Sequence, residues 1–141
     1  MKVTLSSANM RAIEAHLEST YPNEGAGFLL GRNEGGCLNI QALLPIENKW
    51  EAEEQYHRYV LTTEDFMRAE LEATKRGLDM VGVFHSHPDH PAEPSIFDRD
   101  HAMPNFSYLI TTVARGSAEV THAWRLREDR TAFDSEPLEV V

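Results

Sequence analysis

Apolar residues near the start of the chain have the spacing of an amphipathic helix. Met10, Ile13 and Leu17 recur at i, i+3 and i+7, so their side chains share one helical face. Ser6–Ser7 precedes them and offers an N-cap hydroxyl. Tyr21–Pro22 follows them, and a residue before proline avoids the helical conformation. The pattern therefore predicts a first helix that begins at the serines and ends near Tyr21–Pro22.

Short apolar runs separated by turn residues predict strands in the next part of the chain. Gly27–Gly31 and Leu38–Leu44 flank Asn33–Gly36, an arrangement typical of a β-hairpin. Residues 48–55 are polar and acidic, which favours a surface loop that can also border a binding groove. Tyr56–Leu61 is more apolar, and we expect another strand there.

A second helix and a buried strand are predicted in the middle of the chain. Thr62–Asp65 has the residue types of a helix start, and Lys75–Gly77 has those of a helix end. These signals predict a helix over roughly residues 63–76. Met80–Phe84 is a continuous apolar run, typical of a central strand that is buried on both faces.

The last third of the chain predicts a short helix, two strands and a tail. Residues 96–103 follow a proline-rich loop and favour a short helix. Tyr108–Val113 and Ala118–Leu126 predict two strands joined at Arg115–Ser117. Residues 130–141 have no clear periodicity, and we expect a loosely packed tail there.

Composition supports one folded domain and excludes several kinds of partner. The chain is 41% hydrophobic, and its interspersed helices and hairpins predict a single α/β or α+β domain with a mixed sheet over residues 1–141. A formal net charge of −10 has the wrong sign for binding nucleic acid or an anionic membrane. Cys37 is the only cysteine, which excludes an intramolecular disulfide and a Cys-ligated zinc cluster. Without a signal-peptide pattern or an apolar run of membrane-spanning length, a reducing cytoplasm is the expected compartment.

Candidate chemistry lies directly after the predicted buried strand. His85 and His87 are two residues apart, so an extended chain directs both imidazoles to one face. Two imidazoles and a carboxylate suit catalytic zinc, which keeps an open position for water. Asp98, in the first turn of the short helix, is the candidate carboxylate. A hydrolytic zinc site also needs a base, and the candidate is Glu24, which precedes the first hairpin strand.

Each of these residues also has an ordinary structural interpretation. A His-x-His pair often occurs without a metal ion. Ser95 and Asp98 match a capping box, in which the serine caps the helix and the aspartate returns the hydrogen bond. Glu24 considered alone is typical of a solvated loop. The metal site is favoured by the combination of paired histidines, a proline-rich turn and a capped helix that carries an acid.

Together these segments resemble the JAMM (MPN+) family of zinc metalloproteases, and in particular its stand-alone prokaryotic members. Glu24–Gly31, His85–Pro88 and Ser95-x-x-Asp98 match the family motif of a glutamate followed by H-[S/T]-H-P-x6-S-x-x-D. Ala26 stands where the family often has cysteine, outside the catalytic set. The resemblance implies a JAB/MPN-like domain with a mixed, mostly antiparallel, curved sheet flanked by helices.

The resemblance also implies roles for individual residues. His85, His87 and Asp98 would hold one zinc ion per chain, Glu24 would be the general acid/base, and Ser95 would stabilise the tetrahedral intermediate. The implied activity is that of a metallo-isopeptidase or peptidase. Its implied substrate is an amide bond at the C-terminal tail of a ubiquitin-like or sulfur-carrier protein.

Other interpretations stay open at this point. His85-x-His87-x-Asp89-His90 also fits the H-x-H-x-D-H signature of metallo-β-lactamase-like hydrolases, although those enzymes need further ligands downstream and only 51 residues (141 − 90) follow His90. A non-catalytic MPN scaffold is a second alternative, which the complete motif disfavours. The sequence leaves undecided whether His90 or His101 contributes to a second metal site.

Overall fold

Residues 1–141 are described by a computed structural model, in which one eight-stranded sheet organises the chain. The elements in chain order are β1 (Lys2–Leu5), α1 (Ser7–Thr20), β2 (Ala26–Glu34), β3 (Cys37–Ile46), a 3-10 turn (Ala52–Glu54), α2 (Thr63–Lys75), β4 (Asp79–Pro88), α3 (Ile96–His101), β5 (Ser107–Ala114), β6 (Ser117–Leu126), β7 (Phe133–Glu136) and β8 (Leu138–Val140).

The sheet is mixed, curved and nearly closed, with the strand order β7-β6-β5-β4-β2-β3-β1-β8. The β2–β3, β2–β4, β5–β6 and β6–β7 pairs are antiparallel, whereas β4–β5, β1–β3 and β1–β8 are parallel. The predicted α/β class with a mixed, mostly antiparallel, curved sheet is therefore confirmed. β4 lies in the middle of the sheet, between β2 and β5.

Alternate residues of the central strands pack on opposite faces of the sheet. Leu29 of β2 and Phe84 of β4 belong to the core under α1. Their neighbours Phe28 and Val83 belong to a second core, which includes Ala69 of α2. Because successive side chains in a strand alternate between faces, the continuous apolar runs are explained by helices that cover both sides.

The helices and hairpins agree closely with the sequence prediction. Helix α1 begins after Ser6, whose side chain accepts a hydrogen bond from the Asn9 amide, and ends just before Tyr21–Pro22. Helix α2 is capped by Thr62 and followed by Gly77, which has a positive φ of 65°. The β2–β3 and β5–β6 hairpins form where they are predicted, with longer strands than the apolar runs alone indicate.

The strand predicted at Tyr56–Leu61 is wrong. The structure places no strand between β3 and β4, and this segment crosses the surface as a loop. Its main chain bonds to side chains instead of to a strand, since Asn48 Nδ2 donates to the Arg58 carbonyl at 2.8 Å. Its apolar character has another cause, because the ring of Tyr59 is buried in the second core.

The two ends of the chain contain strands that the apolar pattern does not reveal. Lys2–Leu5 forms β1, which inserts between β3 and β8. Residues 130–141, for which a loosely packed tail is expected, contain β7 and β8 at the two edges of the sheet. Strands of four and three residues are too short to show a clear period in the sequence, and they form by pairing with strands distant along the chain.

Candidate functional site

The paired histidines belong to the middle strand of the sheet. β4 extends through Pro88, so His85 and His87 lie on the same face as Val83, which faces the core beside α2. His85 is fully buried, and His87 is 7% exposed. The two imidazole rings therefore lie side by side in a buried region at the end of the second core. Their ring centroids are 5.2 Å apart.

Asp98 reaches the histidines from the first turn of α3. A capping box fixes its side chain, because Ser95 N donates to Asp98 Oδ2 at 2.9 Å and Asp98 N donates to Ser95 Oγ at 3.1 Å. The carboxylate lies 3.0 Å from His87 Nε2 and 3.7 Å from His85 Nε2. The capping interpretation of Ser95 and Asp98 is thus correct, and it also directs the acid toward the two rings.

A main-chain hydrogen bond orients the ring of His87. The carbonyl of Pro91 lies 2.8 Å from His87 Nδ1, so Nδ1 carries a proton and donates it. In a neutral ring, Nε2 then presents a lone pair to the Asp98 carboxylate. Two electron-pair donors in contact require a cation between them, either a proton or a metal ion. Metal-binding histidines commonly have such an orienting carbonyl on their second nitrogen.

The ring of His85 has no hydrogen-bond partner at either nitrogen, although it is fully buried. An unsatisfied buried polar group costs about 1–3 kcal/mol, so native proteins rarely contain one without a reason. Coordination of a cation at one nitrogen would remove part of that cost. One ligand atom from each of His85, His87 and Asp98 lies within 4.8 Å of the others, and this group can hold a metal ion.

Glu24 lies just before β2, on the opposite side of His85 from Asp98. Its main chain is fixed at both ends, since its amide donates to the Gln55 carbonyl at 2.7 Å and its carbonyl accepts from Asn48 Nδ2 at 3.0 Å. Its Oε1 lies 3.9 Å from His85 Nδ1 and has no hydrogen-bond partner. The predicted base is therefore a buried carboxylate beside the ligand group, not a solvated loop residue.

Burial and mutual charge give these groups unusual proton affinities. Burial raises the pKa of Glu24 to about 8, and burial also lowers the pKa of His85 to about 4. Burial alone would raise the pKa of Asp98, but the charges of His85 and His87 and a hydrogen bond from His87 hold it well below its ordinary value. Perturbed groups of this kind gather at catalytic and metal-binding sites.

A pocket of about 310 Å³ opens onto this group, and Pro91 and Pro94 line it together with polar and charged residues. Glu24, His87 and Ser95 lie together on its wall. The structure thus brings together all five residues singled out in the sequence, with His85 and Asp98 buried beneath the other three.

The remaining histidines lie outside the ligand group. His90 and His57 line the pocket, while the ring of His101 stacks on Phe97 with centroids 4.0 Å apart. The structure contains one group of three or more His, Cys, Asp or Glu residues that can hold a metal ion, and neither His90 nor His101 belongs to it.

The metallo-β-lactamase signature is not assembled in space. Asp89, its aspartate, turns away from the histidines and accepts hydrogen bonds from Tyr21 Oη at 2.6 Å and from the Arg115 amide at 2.9 Å. Asp89 has a positive φ of 58°, which marks the turn where the chain leaves β4. The residues of this motif are therefore adjacent in the sequence but do not form a second group of metal ligands in the structure.

Two residues that support the site are missed by the sequence analysis. Tyr59 stacks on His85 with ring centroids 4.6 Å apart, and it closes the buried side of the site. Ser86, between the histidines, accepts a hydrogen bond from the Gly25 amide at 2.9 Å. The position of Ser86 in the motif is a signal for it, whereas nothing in the sequence places Tyr59 beside His85.

The fold and the site together define a class of protein. A curved mixed sheet whose middle strand carries a His-x-His pair, faced by a capped aspartate and a buried glutamate, agrees with what the resemblance of the motif to JAB/MPN domains implies. Residues 6–127 match the family of prokaryotic homologs of the JAB domain, and the chain belongs to that family.

Similar proteins are found among characterised sequences and solved structures. The chain is 29% identical to the "Probable TtuB-protein conjugate cleaving protease" of Thermus thermophilus, over 68% of this chain and 60% of that protein. A solution structure from Desulfitobacterium hafniense has a TM-score of 0.85 and 28% identity, and covers 99% of this chain and 92% of its own. A solution structure of a protein from Salinibacter ruber has a TM-score of 0.77 and 39% identity. That match covers 100% of this chain and 92% of the Salinibacter chain. The match to the Thermus protein thus spans about three fifths of that relative's length.

No helix in the structure combines the length and the apolar character needed to cross a membrane.

Proposed function

We propose that this protein is a zinc-dependent peptidase or isopeptidase that hydrolyses an amide bond at the C-terminal tail of a ubiquitin-like or sulfur-carrier protein. The observation that carries the proposal is the buried group of His85, His87 and Asp98 beside Glu24, at the base of a pocket. The family, and a relative whose name describes cleavage of TtuB-protein conjugates, support a hydrolase and a carrier conjugate as its substrate.

The donor set fits zinc better than magnesium or calcium. Two imidazoles and one carboxylate are a ligand set of catalytic zinc, whereas magnesium and calcium prefer oxygen ligands alone. We therefore assign His85, His87 and Asp98 as the ligands of one zinc ion. Zinc bound there supplies Lewis acidity, which polarises a carbonyl and makes water easier to deprotonate.

In the proposed mechanism, Glu24 moves the proton. Its buried carboxylate accepts a proton from the attacking water and passes it to the departing amine, so that hydrolysis leaves a carboxylic acid and an amine. In the metal-free protein burial raises the pKa of this carboxyl, which favours acceptance of the proton. The hydrogen bonds that fix its main chain hold it beside His85.

Ser95 is proposed to stabilise the developing oxyanion. Its Oγ accepts a hydrogen bond from the Asp98 amide, which uses one lone pair and leaves the hydroxyl proton free to donate. A donor aimed at the carbonyl oxygen strengthens as negative charge develops in the transition state. The same hydroxyl therefore serves both the helix cap and the reaction.

Metal analysis combined with a hydrolysis assay tests this proposal. We expect the purified protein to contain one zinc ion per chain and to cleave a TtuB-protein conjugate. Glu24→Gln should retain zinc and lose about a hundredfold or more in rate, while His85→Ala should lose zinc and activity together.

Two matched variants control these experiments. Glu47→Gln removes an exposed carboxylate at the end of β3 and should leave the rate unchanged. His90→Ala removes a pocket histidine outside the ligand group and should keep zinc. A protein that binds no stoichiometric metal and cleaves no conjugate would instead be a non-catalytic interaction module.

A further inference from the structure

The pocket above the metal-ligand group contains a single arginine or lysine, Arg58. The same pocket is also lined by Glu24, His87 and Ser95, which take part in the proposed mechanism. Arg58 thus carries the only fixed positive charge that faces the reacting groups. This residue lies in the loop between β3 and α2, and the motif of the family does not include it.

The guanidinium of Arg58 is held in place without an acidic partner. It lies over the ring of Phe97, with Cζ 4.4 Å from the ring centroid. Phe97 is itself packed between Trp50 and His101, with ring centroids at 5.6 and 4.0 Å. Stacking on an aromatic ring orients the guanidinium and leaves its edge, which carries the N–H donors, available.

Most of the hydrogen-bonding capacity of Arg58 is unused. An arginine side chain has five N–H donors. In the structure, the Arg58 side chain forms one hydrogen bond, from Nη1 to the His57 carbonyl at 2.9 Å, and it forms no ion pair. A guanidinium that is oriented, free of carboxylates and open to the pocket is suited to an oxygen ligand that enters from outside.

The loop fixes Arg58 relative to the proposed base. The side-chain amide of Asn48 donates to the carbonyl of Arg58 at 2.8 Å and to the carbonyl of Glu24 at 3.0 Å. One side chain therefore ties both main chains together. Any substrate group bound by Arg58 is consequently held at a set distance from Glu24, which is a requirement for accurate positioning of the scissile bond.

The products of the proposed reaction include a group that needs such a cation. Hydrolysis of an amide produces a carboxylate on the acyl side, and the pocket wall already contains the exposed carboxylate of Glu93 in a chain with a net charge of −10. Like charges repel in a partly desolvated pocket. Arginine is the side chain best suited to a carboxylate, because two of its donors match the two oxygens.

We propose that Arg58 binds the acyl side of the scissile amide. It donates to a main-chain carbonyl oxygen of the substrate tail before cleavage and to the new terminal carboxylate afterwards. This inference rests on the proposed amidase function and adds the residue that distinguishes the acyl side of the substrate from its amine side.

A binding experiment on the metal-free protein tests the carboxylate contact without the reaction. The probes are two fluorescein-labelled peptides with the C-terminal sequence of TtuB, one ending in a free carboxylate and one in a carboxamide. We expect the wild-type protein, after chelation and with an unchanged circular dichroism spectrum, to bind the carboxylate peptide about tenfold more tightly in fluorescence anisotropy. Arg58→Gln should abolish that preference, and Arg58→Lys should keep part of it.

Arg11→Gln is the matched control, because it removes an exposed arginine from α1, on the other face of the sheet, and should leave the preference unchanged. Equal affinity of the two peptides for the wild-type protein, or a preference that survives in Arg58→Gln, would overturn the inference. If Arg58→Gln does not fold, the same comparison with Arg58→Lys decides the question, because a shorter-reaching point charge should reduce the preference severalfold.

Steady-state kinetics of the zinc-loaded enzyme separate this role from two others. Binding of the tail predicts a KM for the conjugate about tenfold higher in Arg58→Gln, with an unchanged kcat when each enzyme is measured at its optimum pH, because the charge of Arg58 also acts on Glu24. A lower kcat at the optimum pH with an unchanged KM would mean that Arg58 acts only on Glu24, and an unchanged KM with a lower Tm would mean that it only holds the loop on Phe97. Either result contradicts the inference, whereas a wild-type protein that binds the peptide but cleaves no conjugate contradicts the proposed function alone.

Discussion

Ser86 shows how a residue that faces away from the proposed metal ligands His85 and His87 still positions them. It alternates with the histidines along β4, so its side chain lies on the opposite face of the sheet. Its Oγ accepts a hydrogen bond from the Gly25 amide at 2.9 Å, and its own amide donates to the Gly25 carbonyl at 3.1 Å. Gly25 follows Glu24 directly, so Ser86 joins the ligand strand to the segment that carries the proposed base.

We predict that Ser86→Ala destabilises the protein by about 1–2 kcal/mol. The substitution leaves the amide of Gly25 buried without its acceptor, and an unsatisfied buried donor costs about this much. Urea unfolding measures the change in the free energy of unfolding. Ser19→Ala, which removes an exposed hydroxyl from α1, is the control and should change stability by less than about 0.5 kcal/mol. Equal stability of the two variants would contradict the role of Ser86.

At the scale of elements, α3 depends on its surroundings. A helix of six residues is too short to be stable alone. Ser95 and Asp98 cap its start, Arg130 Nη1 donates to the carbonyl of Ala102 at 2.9 Å, and Phe97 packs against Trp50 of the β3–α2 loop. The helix that carries Asp98, the proposed metal ligand, is therefore held by contacts with the rest of the domain.

Helix α2 begins with the same kind of capping box, formed by Thr62 and Asp65, and the carboxyl group of Asp65 makes its stability depend on pH. Thr62 N donates to Asp65 Oδ2 at 3.0 Å, and Lys49 Nζ donates to Asp65 Oδ1 at 2.8 Å. Burial alone would raise the pKa of Asp65, but these hydrogen bonds outweigh it and hold the pKa below the ordinary 3.8. Because the folded pKa is depressed, the ionised form stabilises the folded state fully above pH 3.8, and the contribution is lost as the pH falls through the folded pKa.

We predict that Asp65→Asn lowers the free energy of unfolding by about 1 kcal/mol at pH 7. The difference from the wild-type protein should disappear at acid pH, where Asp65 is protonated in both the folded and the unfolded states. Urea unfolding across a pH series measures it. Glu64→Gln removes an exposed carboxylate from the same helical turn, and its smaller effect controls for the helix dipole. A difference that stays constant with pH would contradict the assignment.

At the scale of the whole molecule, Glu136 joins the two ends of the sheet. Its buried carboxylate accepts hydrogen bonds from Ser107 Oγ and Arg125 Nε, both at 2.9 Å, and lies 3.6 Å from the N-terminal amine of Met1. β7 ends at Glu136, and β8 begins at Leu138, on the opposite edge of the sheet. The chain at this point therefore spans the gap in the nearly closed sheet.

We predict that Glu136→Ala destabilises the protein by about 3 kcal/mol, because it leaves the partners of a buried carboxylate without their acceptor. Glu139→Gln breaks the exposed ion pair between Glu139 of β8 and Lys2 of β1 and should cost less than about 1 kcal/mol. Thermal and urea unfolding of both variants measure the contrast. Similar losses in the two variants would mean that Glu136 does not close the sheet.

Local signals determined most of the elements and the identity of the candidate site residues. Helices α1 and α2 follow from their caps and apolar spacing, and His85 and His87 follow from the two-residue repeat of a strand. These features depend on residues close together in the chain, and for that reason the sequence can predict them. The strand predicted at Tyr56–Leu61 fails because apolar character alone does not distinguish a paired strand from a loop with one buried ring.

Only the tertiary structure decided what lies between distant segments. It places Glu24 beside His85, stacks Tyr59 on that ring, and sets Arg58 over Phe97 at the mouth of the pocket. It also pairs β1, β7 and β8 with strands far along the chain. The physical reason is that burial, ring stacking and the pKa of a carboxylate depend on neighbours that the folded chain supplies. The residue types are fixed by the sequence, while their proximity and protonation are properties of the fold.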